Sequence, residues 1–267
     1  MKKLRPILAT AIIAIALYAC STVPLTGRSQ LSLVSDDQIN PAAAQAYREL
    51  LSDPKTTVIT NTSDAQRVKT IGNRLAVAIE SYLKANGYSD QYNFAWEFNL
   101  IQSKEVNAWC MPGGKVAVYS GILPITQTDA GLATVMGHEI GHAIAHHSAE
   151  AMSQQLAIQA GGTAIGAATG SKSAATQAAI STLYGVGGQL ATLKYSRDKE
   201  NEADRLGLTF MAMAGYDPHL AVTFWQRMAA QGKNSTPEFL STHPADATRI
   251  ANIQKLIPEA MKYYKGK

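Results

Sequence analysis

The spacing of apolar residues along the chain predicts helices over most of its length. Apolar positions recur every three to four residues in several stretches, as on the buried face of a helix. The predicted helices cover residues 42–51, 63–86, 129–155, 197–214, 218–231 and 245–263. Between Tyr92 and Tyr119 the period changes to two, which predicts strands over 92–101 and 115–120 with a Met-Pro-Gly-Gly break between them. The pattern therefore predicts an α+β fold that is mainly α.

The first twenty residues follow a different pattern. A basic start precedes an apolar run from Ile7 to Ala19, which is the layout of a bacterial secretory signal. The run is shorter than the about 20 apolar residues that a membrane-spanning helix needs. Its end, Leu-Tyr-Ala-Cys, resembles the bacterial lipobox, in which the signal is cut before a cysteine that then carries lipid. We expect a signal peptide over 1–19 and lipidation at Cys20, with an ordinary signal peptide and a chance cysteine as the alternative.

This assignment predicts the compartment and the domain boundaries. Ser21 after the cysteine resembles lipoproteins sent to the outer membrane, so we expect a protein of the bacterial cell envelope, lipid-anchored and facing the periplasm. Several acyl chains anchor a protein stably where a single chain does not. Residues 20–34 would form an extended, lipidated tether. With 46% apolar and 16% charged residues overall, 35–267 would form a single globular domain.

Charge and cysteine usage exclude some functions and leave others open. The chain has 24 basic and 20 acidic residues, and three of the basic ones lie in the predicted signal. The mature chain is then nearly neutral, so we expect no nucleic-acid partner. If Cys20 is lipidated, Cys110 has no partner, and we favour a buried small apolar role over an intermolecular disulfide or a role beside the site.

An alanine- and glycine-rich segment over 159–193 also leaves two interpretations. It is nearly free of charge, but glycines interrupt it and no run of 18 apolar residues occurs in it. We favour a close-packed helical hairpin over contact with a membrane.

The candidate chemistry is concentrated in the predicted helix over 129–155. His138 and His142 are four residues apart, which places their side chains about 40° apart around the axis and about 6 Å along it, so both can bind one metal ion. Glu139 points beside that ion, where a general base can take a proton from an activated water. Surface histidines are the alternative, but small and apolar residues surround the pair. His146 lies about 12 Å along the axis from His138, so we expect His146 and His147 to support the ligands or to pack nearby, with metal binding as the alternative.

A third ligand must come from another segment. In Arg-Asp-Lys-Glu-Asn-Glu-Ala-Asp, which starts at Arg197, Glu200 and Asp204 share one helix face, whereas Glu202 points away from it. The alternative for Glu200 is a solvated acid at a helix start, where it would suit the helix dipole.

These two motifs, His-Glu-Ile-Gly-His and Glu-Asn-Glu-Ala-Asp, resemble a family of zinc metalloproteases. It is metallopeptidase family 48, which includes the heat-shock protease HtpX, the CAAX prenyl endopeptidases and the mitochondrial Oma-type proteases. The resemblance implies a zincin-type metalloprotease domain with a small β-sheet flanking the active-site helix. It also implies one Zn²⁺ per chain held by His138, His142 and Glu200, with Asp204 orienting a ligand or supporting the helix.

Two further segments extend the resemblance. The segment 106–123 is similar to the family's strand before the active-site helix, which implies that Asn107 and Ala108 lie on an edge strand that pairs with an extended substrate. The segment 241–250 is similar to its late His-Pro segment, which implies that His243 approaches the metal. His243 would either stabilise the developing oxyanion or cap the open zinc position in a resting form.

The sequence thus predicts a zinc-dependent metalloendopeptidase of the cell envelope. Through a zinc-activated water and Glu139 as general base, it would hydrolyse peptide bonds in misfolded or unassembled envelope proteins. Its partners would be an extended or unfolded protein or peptide and, through lipid at Cys20, a membrane. Two alternatives stay open: a lipoprotein chaperone or assembly factor with a latent zinc site, and a structural zinc module without an open coordination position.

Overall fold

Helices form most of the described structure. The computed structural model describes residues 20–163, 195–231 and 237–266. The helices are α1 Asp36–Ser52, α2 Ser63–Ala85, α3 Leu123–Thr126, α4 Asp129–Ile144, α5 His147–Thr163, α6 Arg197–Met213, α7 His219–Gln231, α8 Glu238–Thr242 and α9 Ala247–Ala260. The strands are β1 Cys20–Thr22, β2 Ser29–Leu31, β3 Val58–Ile59, β4 Glu97–Ile101, β5 Ala108–Met111 and β6 Lys115–Tyr119. The predicted α+β class, mainly α, is confirmed.

Four strands form one sheet in the order β3-β4-β6-β5. β4 and β6 are parallel, and the other pairs are antiparallel. The tight turn between β5 and β6 uses Gly113 and Gly114, which have φ values of 77° and 82° that glycine adopts readily. β5 lies at one edge, and its outer side pairs with no strand among the described residues.

The sheet separates two apolar cores because alternate side chains of a strand point to opposite faces. Val116 and Val118 of β6 belong to the larger core, which α2, α4 and α6 line. Ala117, between them, belongs to a smaller core with α1 and α5. The sheet is therefore covered on both faces, and α4 lies in the interior.

Helix α4 is buried along almost its whole length. Thr128 begins it by accepting a hydrogen bond from the Gly131 backbone N–H, and every residue from Ala130 to Ile144 is buried. Its closest neighbour is α6. A Cβ on Gly137 would lie 3.0 Å from the Gly207 carbonyl oxygen, so at this point only glycine lets the two backbones meet.

The predicted continuous helix over 129–155 is two helices in the structure. α4 ends at Ile144, His146 adopts a left-handed conformation with φ 51°, and α5 begins at His147. In a continuous helix His147 would point about 140° away from His142. The break turns it back, so that the His147 ring contacts the His142 ring.

The segment 20–34, predicted as an extended tether, contains the antiparallel β1–β2 hairpin. Val23 and Gln30 of this hairpin are buried against the body of the protein. Within 20–163, 195–231 and 237–266, no helix combines the length and apolar character that crossing a bilayer requires. The predicted signal over 1–19 lies outside the described residues, as does the alanine- and glycine-rich segment beyond Thr163.

Candidate metal centre

Four buried side chains from three parts of the chain converge on one point. His138 and His142 come from α4, Glu200 from the first turn of α6, and His243 directly follows α8. One nitrogen or carboxylate oxygen from each lies within 4.8 Å of all the others. The histidine pair of α4 and the Glu200 carboxylate of α6 therefore lie together, and His243 after α8 is the fourth member of the cluster.

The distances inside the cluster are short. His138 Nε2 is 3.1 Å from His142 Nε2 and 3.2 Å from His243 Nδ1. A Glu200 carboxylate oxygen is 3.3 Å from His142 Nε2, and 2.9 Å from His243 Nδ1. Three imidazole nitrogens and a carboxylate therefore face one another across a space the size of a single ion.

The outer nitrogens of the two α4 histidines are already engaged. His138 Nδ1 lies 2.9 Å from Asp204 Oδ1, to which it donates. His142 Nδ1 lies 2.8 Å from His147 Nδ1, and His147 Nε2 lies 3.0 Å from Glu202 Oε2. Because a carboxylate accepts, His147 donates through Nε2 and accepts from His142 at Nδ1. Both Nε2 atoms are thereby left to present lone pairs to the cluster.

Two facing lone pairs and a carboxylate repel one another unless a cation or a proton lies between them. Burial holds the pKa of His142 well below its usual value, so this ring carries no second proton. Burial and the charge of Arg249 also act to lower the pKa of His138, but hydrogen bonds with Asp204 and Glu200 outweigh them and raise it. Imidazole and carboxylate are both common zinc ligands, and a bound zinc ion would take the place of a proton between these groups.

Glu200 stays ionised in this setting. Burial alone would raise the pKa of Glu200, but hydrogen bonds with His138, His142 and His243 outweigh it and lower the pKa. An Arg249 nitrogen, Nη1, also lies 3.0 Å from Glu200 Oε2. The carboxylate is thus available as an anionic ligand.

Asp204 lies behind His138 and is held by Arg249. The Arg249 guanidinium donates to both Asp204 oxygens, at 2.9 and 2.8 Å, and stacks over the Trp225 ring with its carbon 3.5 Å from the centroid. A bidentate pair of this kind fixes the carboxylate and therefore the orientation of the His138 ring. Asp204 is thus in a position to orient His138.

Glu139 is buried next to the cluster but is not a member of it. Its Oε1 has no hydrogen-bond partner among the described residues and lies 3.6 Å from His243 Nε2. Burial raises the pKa of Glu139 to about 7, although the charge of His243 opposes the rise. A carboxylate with a pKa near neutrality beside a candidate metal site is suited to moving a proton in either direction.

The predicted substrate strand lies at the sheet edge beside α4. Ala108 begins β5, and the buried Asn107 precedes it and accepts the Tyr119 backbone N–H through its carbonyl, at 3.0 Å. Cys110, on the same strand, is a free and partly buried thiol. Burial, and then the charge of Glu139, raise the pKa of Cys110 well above its usual value, so it stays protonated. It therefore behaves as a small, weakly polar side chain.

Three residues of the site have no predicted role from the sequence. Glu202 and Arg249 support the ligands, and Tyr195 stacks on His142 with 4.3 Å between ring centroids. His147 lies behind His142 and outside the ligand cluster, in a supporting position. Spacing along one helix could place neither Arg249 nor His147. The contacts of Arg249 join segments that are far apart in the chain, and the contact of His147 depends on the break at His146.

Replacing His142 by alanine should remove metal binding, whereas replacing His146 should not. His142 presents Nε2 to the cluster, but the His146 ring lies near Tyr92 and 3.5 Å from Asp36. We expect zinc affinity to fall by more than about 100-fold in His142→Ala, beyond the usual effect of a supporting residue. His146→Asn is the matched control, since asparagine tolerates the left-handed backbone. Elemental analysis after dialysis measures zinc per chain, and equal zinc in both variants would refute the ligand assignment.

Comparison with known proteins agrees with the motifs. The mitochondrial metalloendopeptidase OMA1 of Schizosaccharomyces pombe is 33% identical over 240 residues, which cover 89% of this chain and 66% of that protein. The human mitochondrial metalloendopeptidase OMA1 is 32% identical over 246 residues, covering 90% of this chain and 46% of that protein. The Escherichia coli beta-barrel assembly-enhancing protease is 30% identical over 164 residues, covering 60% of this chain and 34% of that protein.

The chain thus spans less than two thirds of the length of each of these relatives. Residues 62–257 match the model of peptidase family M48, a range that contains every residue of the cluster. The family that the two motifs predicted is confirmed, and the chain belongs to peptidase family M48.

Proposed function

We propose that this chain is a zinc-dependent metalloendopeptidase in which His138, His142 and Glu200 hold one Zn²⁺ and Glu139 is the general base. The observation that carries the proposal is the convergence of these ligand atoms next to the buried carboxylate of Glu139, whose Oε1 has no hydrogen-bond partner within the described part of the chain. Membership of peptidase family M48 supports the same reaction.

The ion and the protein would supply different parts of the reaction. A zinc ion held by these residues would supply Lewis acidity, which activates a water and polarises the carbonyl of the scissile peptide. Glu139 takes the proton of the attacking water and later returns it to the leaving amine, a role that its pKa of about 7 suits. Asp204 and Arg249 keep the His138 ring in place while this proton moves.

The position of β5 at the sheet edge favours an extended peptide as the substrate. An extended peptide can add a strand to a free sheet edge through main-chain hydrogen bonds. β5 runs along α4 and begins at Ala108, one of the two residues that we expect to pair with the substrate. Folded proteins pair or protect most of their strand edges, so the substrates would be unfolded, misfolded or unassembled segments.

His243 has two candidate roles, and its position favours the resting cap. Its Nδ1 lies among the ligand atoms, where it would supply a fourth donor to the zinc. A zinc site with four protein ligands has no position for water, whereas a catalytic site needs one. We propose that His243 would cap the site at rest and would move aside for a substrate, so that its Nε2, on the side of Glu139, would face the reacting carbonyl.

The proposed location is the bacterial cell envelope. Bacterial relatives are named beta-barrel assembly-enhancing protease, which supports misfolded or unassembled envelope proteins as the substrate class. Cys20 is exposed and is the first residue of β1, so it would be accessible for lipidation and a membrane anchor. The lipid would hold the domain at the outer membrane, facing the periplasm.

Glu139→Gln tests the general base. The variant keeps the shape of the side chain and all metal ligands, so it should bind zinc like the wild type while kcat falls by about 10²- to 10⁴-fold. Cleavage of an unfolded protein such as β-casein is measured beside zinc content, with the exposed Glu49→Gln as control. An active Glu139→Gln would contradict the mechanism. Normal envelope function of this inactive variant in cells would favour the chaperone alternative.

Cys20→Ala tests the anchor. If Cys20 carries lipid, the wild type should sediment with membranes and show a mass increase at its N-terminal peptide. The Cys20→Ala protein should lose both properties, while Cys110→Ala should keep them. Wild-type protein that is found in the soluble fraction without added mass would refute the anchor and leave the protease proposal untouched.

A further inference from the structure

A chain of polar contacts connects the metal ligand His142 with the N-terminal hairpin. It begins at the outer nitrogen of His142, which meets His147 Nδ1 at 2.8 Å. His147 is completely buried, and its other nitrogen meets Glu202 at 3.0 Å. Neither His147 nor Glu202 belongs to the ligand cluster, and the proposed reaction does not use them.

Glu202 is held from the loop of the hairpin. The Thr26 hydroxyl donates to one of its oxygens, and Arg28 Nε donates to the other, the oxygen that also faces His147. Thr26 and Arg28 lie between β1 and β2, at a distance of more than 170 residues along the chain from Glu202. The hairpin therefore supplies both remaining partners of this carboxylate.

Arg28 is itself fixed by several groups. Its Nη2 lies 3.1 Å from Glu150 of α5 and 3.1 Å from Gln30 of β2. Glu150 also pairs with Lys199 of α6, at 3.1 Å. Arg28 therefore connects the hairpin with α5 and α6, and its side chain is 30% exposed while the Glu202 side chain is 6% exposed.

The direction of hydrogen bonding along this chain determines which nitrogen of His142 faces the cluster with a lone pair. A carboxylate that is held by Thr26 and Arg28 can only accept, so His147 gives its single proton to Glu202. His147 must then accept from His142, whose Nε2 is left without a proton. If Glu202 were released, His147 could donate to His142 instead, and the proton of His142 would lie on Nε2, where the metal binds.

We propose that Arg28, Glu202 and His147 are positioning residues for the metal ligand His142. The N-terminal hairpin then contributes to metal affinity through Arg28. This rests on the proposed zinc site. Hydrogen bonds of this kind to a ligating histidine fix its tautomer and raise its basicity, and losing them typically costs about 10- to 100-fold in metal affinity. The hairpin then helps the protein to retain zinc, and it also connects Cys20 with the rest of the domain.

The test compares two arginine–carboxylate pairs that end on the same helix. Arg28→Gln breaks the pair with Glu202, and Arg205→Gln breaks the pair of Arg205 with Glu259, which does not reach the cluster. Zinc affinity of the full chain is measured by competition with a chromophoric chelator, and the melting temperature of the zinc-free protein is measured in parallel. We expect Arg28→Gln and Glu202→Gln to weaken zinc binding about 10- to 100-fold and Arg205→Gln to leave it unchanged.

A double variant separates positioning from general stability. In His147→Phe the ring volume stays but both nitrogens are lost, so the chain of contacts is already cut. Adding Arg28→Gln to His147→Phe should then cause little further loss of zinc affinity, because the two changes act through one path. If His147→Phe does not fold, Glu202→Gln takes its place in the double variant.

Two results would overturn the inference. In one, Arg28→Gln binds zinc as tightly as Arg205→Gln does. In the other, the effects of Arg28→Gln and His147→Phe are fully additive, as expected if the hairpin only stabilises the fold. Wild-type protein that binds no zinc would overturn the proposed function along with this inference, whereas zinc-binding wild type with an unaffected Arg28→Gln would overturn this inference alone.

Discussion

Helices α4 and α6 touch through their backbones, and the candidate metal centre depends on this contact. A Cβ on Gly207 would lie 2.8 Å from the His138 backbone nitrogen, and a Cβ on Gly141 would lie 2.8 Å from the Ala203 carbonyl oxygen. Such distances leave no room for a side chain at either glycine. Two helices at ordinary separation, about 8–10 Å between axes, are kept apart by their side chains. Here glycine removes that spacing, so the short carboxylate Glu200 can reach the imidazoles of the neighbouring helix.

The same contact gathers an unusual amount of charge in an apolar interior. Glu139, Glu200 and Asp204 are all buried, and Arg249 is the one buried arginine among the described residues. Buried carboxylates are costly unless they are paired or bind a metal. Arg249 satisfies Asp204 and part of Glu200, and the histidines satisfy the rest of Glu200. Burial raises the pKa of Glu139, whose Oε1 meets no hydrogen-bond partner in the described segments, whereas hydrogen bonds with the histidines lower the pKa of Glu200.

Local spacing was enough to predict the parts of the site that one helix holds. Residues four apart on a helix share a face, so His138 with His142 and Glu200 with Asp204 follow from the sequence. That the two pairs meet could be inferred only from the family resemblance, because nothing in either helix specifies its partner. The placement of His243 came from the same source.

The supporting residues could not be predicted for a physical reason. Helix periodicity correctly placed Glu202 away from the face of Glu200, but the group it meets lies on the far side of the break at His146. A left-handed residue that is not glycine is set by its surroundings, here Tyr92 and Asp36, rather than by its own preference. The contacts of Arg28 and Arg249 likewise join segments that are far apart in sequence, and a single sequence contains no record of such pairings.

X-ray absorption at the zinc edge tests the central claim most directly, because it counts the imidazoles bound to the ion and identifies sulfur. In the resting wild-type chain we expect three imidazoles and a carboxylate oxygen, without sulfur. In His243→Ala we expect two imidazoles and a further oxygen from water. A spectrum with one imidazole or none, or with a thiolate from Cys110, would contradict the assignment of His138, His142 and Glu200 as the metal ligands.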